Sequence, residues 1–376
     1  MKLRAATLGL VLASGLVALG LGEGLVRLTA PQSLRPAWDD EVFGVRVARP
    51  GLVGRQTLPG KFAVTVSINS QRFRSRREYA PVPTPGVTRI AVLGDSLAFG
   101  WGAEDDETYP ARLERLLEQQ LAPSRFEVIN AAFPGTCLGE KALWYEVGVR
   151  SFHPQLVVLT ALGDDVDGDL FWRVFSLDAD GQAVPSPRVL RGPEDPAVRR
   201  TRSLFKSLPG YERLVERSQL FAVVRRAATR LVSSERTTSL GQRPATPEET
   251  RRFREEGLAL LRAELRWLRA RVARDGAQLA VVFLPFRDGV YATQGWWADE
   301  LRWKSRAVSE ALRAVCAEQV LPFKDVTPDL AALARPGAPA LYHDGADTHP
   351  TPAGYRAIAD SVAALLIGSA LSPQAP

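Results

Sequence analysis

Residues 90–117, IAVLGDSLAFGWGAEDDETYPARLERLL, join a wholly apolar run to a Gly-Asp-Ser turn. A glycine- and acid-rich loop then leads to an amphipathic segment. An apolar run without polar alternation fits a strand covered on both faces, as in a parallel sheet. A serine directly after such a strand and a Gly-Asp pair sits on a tight turn at the sheet edge. There its hydroxyl is exposed and its amide faces any carbonyl presented to it, so Ser96 is the candidate nucleophile. Gly-Asp-Ser alone is a weak pattern, because serines so placed commonly cap a helix. The weight lies in the whole run, with Phe99-Gly100-Trp101-Gly102 and Thr108-Tyr109-Pro110.

Outward from this stretch the alternation repeats. FEVINAAFPG (126–135) reads as a second strand ending in a glycine turn, and residues 138–151 as a helix. PQLVVLTALGDD (154–165) is a third apolar run closing in acids. AQLAVVFLPF (277–286) and LPFKDVT (321–327) are a fourth and fifth strand around the helix KSRAVSEALRAVCAEQV (304–320), and residues 349–371 run from a loop into a last helix. A long amphipathic helix opens with Thr246 as cap, with Pro247 and Glu248 in its first turn, and stops at Gly276. Strands alternating with helices predict an α/β domain built on a parallel sheet, with functional groups at the carboxyl ends of the strands. That domain is expected over residues 88–370. An insertion at about 171–247 breaks its rhythm with prolines, arginines and one helix over 214–232, and is expected to shape substrate access. Residues 31–87 are a β-rich lead-in with too little apolar content for a core of their own; KFAVTVSINSQRF (61–73) alternates like a strand.

Residues 1–30 are a targeting segment. Lys2 and Arg4 precede an apolar run over residues 5–22, closed by Glu23 and Arg27. The length is at the lower limit for crossing a bilayer, and leading positive charge places the N-terminus inside and the remainder outside the cytoplasm. Ala18-Leu19-Gly20 offers a signal-peptidase alternative; an uncleaved inner-membrane anchor is the expectation, with the catalytic part on the periplasmic side.

The 376 residues carry a formal net charge of +6, with 45% hydrophobic and 24% charged residues, which is ordinary for a globular protein. Basic residues alternate with acids along helical stretches such as Glu248 to Arg274, and a nucleic-acid partner, which would need an aromatic-lined basic stripe, is not expected. The excess suits a solvated surface, an anionic membrane or an acidic polysaccharide. Two cysteines, Cys137 and Cys316, are too few for a disulfide scaffold and are read as unrelated buried thiols. No phosphate loop or zinc spacing occurs, and no cofactor or metal is expected. Asp164, Asp165, Asp167 and Asp169 lack the Gly and closing Glu of a calcium loop and read as a solvated polar turn. Any imidazole chemistry must use His153, His343 or His349. His349 lies in a loop before the last helix with a carboxylate beside it, which suits a general base held in one tautomer.

The stretch at 90–117 resembles the first block of the SGNH/GDSL hydrolase family, in particular its membrane-anchored bacterial members, and implies a three-layer, flavodoxin-like fold. INSQRFRSRR (68–77) resembles the Asn-Ser-x-Gly-Phe-Arg lead-in of those proteins, with Arg72 in the glycine position. VINAAFPGTCLGE (128–140) is similar to the second block, which makes Gly135 an oxyanion-hole donor beside the Ser96 amide. In the third block the family's Gly-x-Asn-Asp appears as Gly163-Asp164-Asp165, so Asp164 stands where an asparagine donates. A carboxylate donates only when protonated, as burial and Asp165 would favour. The final block, His-Pro-x-x-x-Gly-Tyr, makes His349 the base. Position 346, three before His349, is alanine. Asp347 stands two before it, as in the Asp-Thr-His of alginate acetylation proteins, a related branch, and is the expected acid, with Asp344 as fallback. The resemblance implies a serine esterase for small acyl esters, such as O-acetyl groups on cell-envelope or exported glycans. An O-acyltransferase with the same triad, or a glycan-binding protein impaired by Asp164, are the alternatives.

Overall fold

The computed structural model describes residues 2–42, 44–186, 196–232, 247–291, 296–345 and 347–371. Two compact units are present. The smaller comprises Met1–Ala37, Gly54–Val64 and Glu194–Thr237; the larger comprises Trp38–Val53, Thr65–Pro193 and Thr238–Pro376.

The larger unit holds a five-stranded sheet: β1 (Val87–Leu93), β2 (Arg125–Asn130), β3 (Leu156–Ala161), β4 (Gln278–Phe283) and β5 (Phe323–Asp325). Every pairing is parallel and the order is β2-β1-β3-β4-β5, the doubly wound flavodoxin-like arrangement. Alternate residues enter opposite cores. Ile90, Val92, Val128, Val158, Ala280 and Val282 face one layer with the helices Tyr109–Gln120 and Pro352–Gly368. Ala91, Leu93, Ile129, Val157, Leu159, Val281 and Phe283 face the other, with Leu138–Val147, Pro247–Arg274 and Trp296–Glu318. Burial on both faces explains why these strands read as unbroken apolar runs. Leu93 pairs with Leu159, and Ala161 with Phe283. The segments after β1, β3 and β4 therefore leave the sheet at one edge.

Several boundaries differ from the sequence reading. The helix expected over 138–151 ends at Val147 and continues as a short 3₁₀ turn, Val149–Phe152. The Trp296–Glu318 helix begins eight residues earlier than the pattern from Lys304, because Ala298 and Leu301 extend its buried face. The single helix at 214–232 is two, Tyr211–Arg217 and Gln219–Val232, separated by an extended Ser218. The Thr246 cap and Ala346 lie outside the described residues.

Arg72, the departure from the lead-in pattern, sits at φ 74°, the left-handed region where glycine is unstrained. Its guanidinium reaches Asp40 and the Ala48 carbonyl. Residues of the lead-in are packed inside: Trp38, Val45, Val47, Val66, Ile68 and Phe73 are buried.

In the smaller unit a continuous helix, Lys2–Thr29, exposes Leu10, Val11, Leu12, Leu16, Val17, Leu19 and Leu21. Residues Gly9–Thr29 of it are long and apolar enough to cross a bilayer. Near its end Glu23 accepts hydrogen bonds from the Ser218 hydroxyl (2.8 Å) and from the Gln219 and Leu220 amides (2.9 Å each). The carboxylate thereby satisfies free amides at the start of the Gln219–Val232 helix.

Gly94, between β1 and Ser96, has no room for a side chain. A Cβ there would lie 2.3 Å from Ala98 Cβ and 3.1 Å from Thr160 Cβ. Gly94→Ala is expected to lower stability by about 1–3 kcal/mol through overpacking, read as a lower urea midpoint; an unchanged midpoint would show that the turn relaxes freely.

Candidate active site

At the end of β1 the Asp95 side chain accepts from the Leu97 amide at 3.0 Å and caps the single helical turn Ser96–Phe99. Ser96 is thus the first helical residue, partly exposed at the sheet edge. Its hydroxyl Oγ stands 2.9 Å from Nε2 of His349, and Nδ1 of the same ring stands 2.7 Å from Oδ1 of Asp347. The same Asp347 oxygen accepts the His349 amide at 2.9 Å. Ser96, His349 and Asp347 therefore form one hydrogen-bonded row. Burial opposes ionisation of Asp347. The His349 hydrogen bond, charge and amide outweigh it and hold the carboxyl below its usual range. Asp344, the fallback acid, is exposed. His343 supports the loop through its backbone, donating to the His349 carbonyl at 3.0 Å. His153 is exposed at φ 47° ahead of β3.

The loop bearing His349 is fixed by a close approach. A Cβ on Gly354 would fall 2.0 Å from the Leu341 carbonyl oxygen, so only glycine allows the last helix to start there. Trp101 stacks on the His349 ring at 5.0 Å between centroids, and Tyr355 donates to the Trp101 carbonyl at 2.9 Å. Buried Arg74 donates to the carbonyls of Phe99, Gly100 and Ala103, bracing the segment that carries Trp101.

Gly135 adopts φ 78° and is exposed. Its turn is tied to the serine turn: the Phe133 amide and the Thr136 hydroxyl donate to the Gly94 carbonyl at 3.0 and 3.1 Å. Arg46, from the lead-in strand Val45–Ala48, donates to the Gly135 carbonyl and pairs with Glu140. Its guanidinium lies 4.0 Å from the Trp172 ring centroid.

The acidic cluster is not the solvated turn expected from the sequence. It opens the helix Asp165–Trp172, with Asp165 and Asp169 buried and Asp164 and Asp167 paired with one lysine. Buried Asp165 accepts both contacts from buried Lys141, at 2.6 and 2.9 Å, and takes the Leu162 amide at 2.9 Å. Burial disfavours the Lys141 ammonium, but Asp165 and Asp95 outweigh it and keep the group charged. Asp95 is pushed up to about 6, chiefly by burial. Asp164 pairs with Lys304 at 3.6 Å, and Lys304 also holds Asp167. Burial, with Asp167 and Asp165 reinforcing and Lys304 opposing, lifts Asp164 to about 6. Its side chain is 44% exposed, so water still limits the desolvation. Arg46, Lys141 and Lys304 carry no local signal of a role, and Trp101 was marked only as part of the Phe99–Gly102 run. Cys137 and Cys316 are both free and buried.

Behind this layer Glu264 and Asp169 are buried together. Among the described residues, neither Glu264 oxygen nor Asp169 Oδ2 meets a fixed donor, and a proton on Glu264 lets the two carboxyl groups bond to each other. Burial raises both. Above the ordinary carboxyl range near pH 4, the native chain keeps a proton that the unfolded chain has released, so stability falls as pH rises through the raised values. Glu264→Gln is expected to flatten that fall between pH 4 and 8 in urea titrations. An equal slope in both proteins would mean that Glu264 titrates alike folded and unfolded.

The GDSL-like Lipase/Acylhydrolase family model matches residues 92–303. Among solved structures, TesA is similar at 13% identity and TM-score 0.42, covering 74% of this chain and 98% of its own. Axe2, an acetylxylan esterase from Geobacillus stearothermophilus, is similar at 14% identity and TM-score 0.41, covering 74% and 94%. No curated protein matches the sequence. With the family match spanning more than half of the chain, the protein belongs to the GDSL-like lipase/acylhydrolase family and is an ester-hydrolysing enzyme.

Proposed function

We propose that the protein is a serine esterase for small acyl esters, acting on O-acetyl groups of cell-envelope or exported glycans. The row Ser96–His349–Asp347 carries this reading. Ser96 Oγ attacks the ester carbonyl while His349 Nε2 takes the hydroxyl proton, and Asp347 holds the ring and balances its charge. The Ser96 and Gly135 amides are assigned to the carbonyl oxygen as it becomes an oxyanion. When the C–O bond breaks, His349 returns the proton to the leaving alcohol. Water then repeats the sequence on the acyl-serine, releasing the carboxylic acid. The charged groups Asp164, Lys304 and Arg46 at this sheet edge favour a hydroxyl-rich substrate over a long acyl chain.

The Lys2–Thr29 helix is assigned as an inner-membrane anchor, with the enzyme on the periplasmic side. Its apolar exposed surface and the bonding of Glu23 into the folded chain support retention of the segment.

Full-length protein in detergent is expected to release p-nitrophenol from its acetate, and Ser96→Ala to reduce turnover at least ~1,000-fold. Equal rates in both proteins would refute the esterase reading.

Asp164 is assigned to the third oxyanion position, donating as the neutral acid. A donor of this kind is present below about pH 6 and lost above it. kcat should therefore gain a descending limb near pH 6 that Asp164→Asn removes, raising the rate several-fold at pH 8. One such donor is worth up to roughly 100–1,000-fold. Superimposable pH–rate profiles would remove Asp164 from the oxyanion site.

A further inference from the structure

The chain's positive charge is concentrated in one place. Residues 196–232 hold nine basic side chains against two acidic ones, an excess of seven where the whole chain has an excess of six. They form three helices, Pro196–Lys206, Tyr211–Arg217 and Gln219–Val232. Their inner faces close on each other. Phe221 meets Phe205 and Tyr211 edge to face, at 5.5 and 6.0 Å between centroids, and Val215 and Ala222 are buried.

The outer faces are not polar throughout. Val224, Ala227 and Leu231 recur at the spacing of one helical face and are exposed, Val224 by 48% and Leu231 by 87%; Leu204 is 67% exposed on the first helix. Arg226 and Arg230, also exposed, flank this stripe on one side of the Gln219–Val232 helix. An apolar stripe bordered by arginines is the pattern of a helix lying in a lipid interface, with hydrocarbon below and headgroups around the cations.

The position of the stripe names the occupant. Glu23, one residue past the apolar run, binds the first amides of the Gln219–Val232 helix, and Arg27 donates to the Arg217 carbonyl at 3.1 Å. A Cβ on Gly22 would lie 3.2 Å from a Leu220 methyl, so the two helices touch there. The stripe therefore begins where the anchor would leave the bilayer.

We infer that residues 196–232 rest on an anionic phospholipid surface, with Leu204, Val224 and Leu231 in the acyl boundary and the arginines among the headgroups. The inference rests on the anchor assignment for the first helix.

The test is spin-label accessibility in full-length protein reconstituted into phosphatidylglycerol–phosphatidylcholine vesicles. Leu204→Cys, Val224→Cys and Leu231→Cys are labelled singly, with Leu12→Cys as the bilayer reference. The native thiols are buried and both are raised by burial, Cys316 to about 12, so they do not compete for label. Collision with oxygen is expected to exceed that with an aqueous nickel complex several-fold at all four positions. In pure phosphatidylcholine the ratio should fall at 204, 224 and 231 and hold at 12. Labels at 204, 224 and 231 in water with Leu12 in lipid overturn the inference and leave the anchor standing. Leu12 in water removes the anchor and the inference with it. Equal depth in both vesicle types overturns the anionic-lipid assignment.

Discussion

The 2.9 Å contact between Ser96 Oγ and His349 Nε2 joins residues 253 apart in sequence, and much of the larger unit serves to hold it. Neither side chain has local neighbours that could set such a distance. Ser96 is placed by the end of β1, by the absence of a side chain at Gly94 and by the Asp95 cap. His349 is placed by the crossing of Gly354 under the Leu341 carbonyl and by the Trp101 ring. Trp101 in turn depends on Arg74, whose donors take up three carbonyls of its loop. A buried guanidinium is costly unless its donors are satisfied. Arg74 is a long way from an exposed salt bridge, and its loss would free the loop that stacks on the base.

A second layer of constraint is ionic. Lys141 and Asp165 are both 1% exposed, and their contact ties the helix after the Gly135 turn to the helix after β3. Removing both charges from water costs several kcal/mol per ion, which a close two-oxygen contact and the Leu162 amide help to offset. Such a pair adds little net stability, yet breaking one side of it costs about 3–5 kcal/mol because a bare charge remains inside. It therefore specifies how the two turns sit against each other. Arg46 does similar work on the other side, joining the lead-in strand to Gly135, Glu140 and Trp172.

The sheet was legible in the sequence because burial on both faces leaves unbroken apolar runs, and the turn residues follow those runs directly. Ser96 and His349 were marked by their places after a strand and before the last helix, and they meet at 2.9 Å; Gly135 was marked only by the resemblance of its block. The acidic cluster was misread because alternating aspartates look solvated when their partners are far away in sequence. Lys141 is 24 residues from Asp165, and Lys304 is 137 from Asp167. Arg72 illustrates a subtler limit. Its departure from glycine marked the position, but only the backbone shows a left-handed residue whose side chain bonds to Asp40 and Ala48. The companionship of residues 196–232 with the first helix had no local signal either, since Glu23 and Arg27 make the connection to residues some 190 positions away.

Asp164 poses the electrostatic question on which the proposed mechanism turns. A lone carboxylate facing a developing oxyanion would raise the barrier, whereas here the charge is shared. Lys304 is 6% exposed and holds both Asp164 and Asp167, so one cation stands against two acids at the end of β3. Proton uptake by Asp164 removes the excess negative charge and creates a donor in the same step. In the proposed arrangement an oxyanion beside Asp164 would raise the carboxyl further and so favour its neutral form. Under the proposed assignment an asparagine would supply its donor at every pH, whereas Asp164, raised to about 6, supplies one only while it holds its proton.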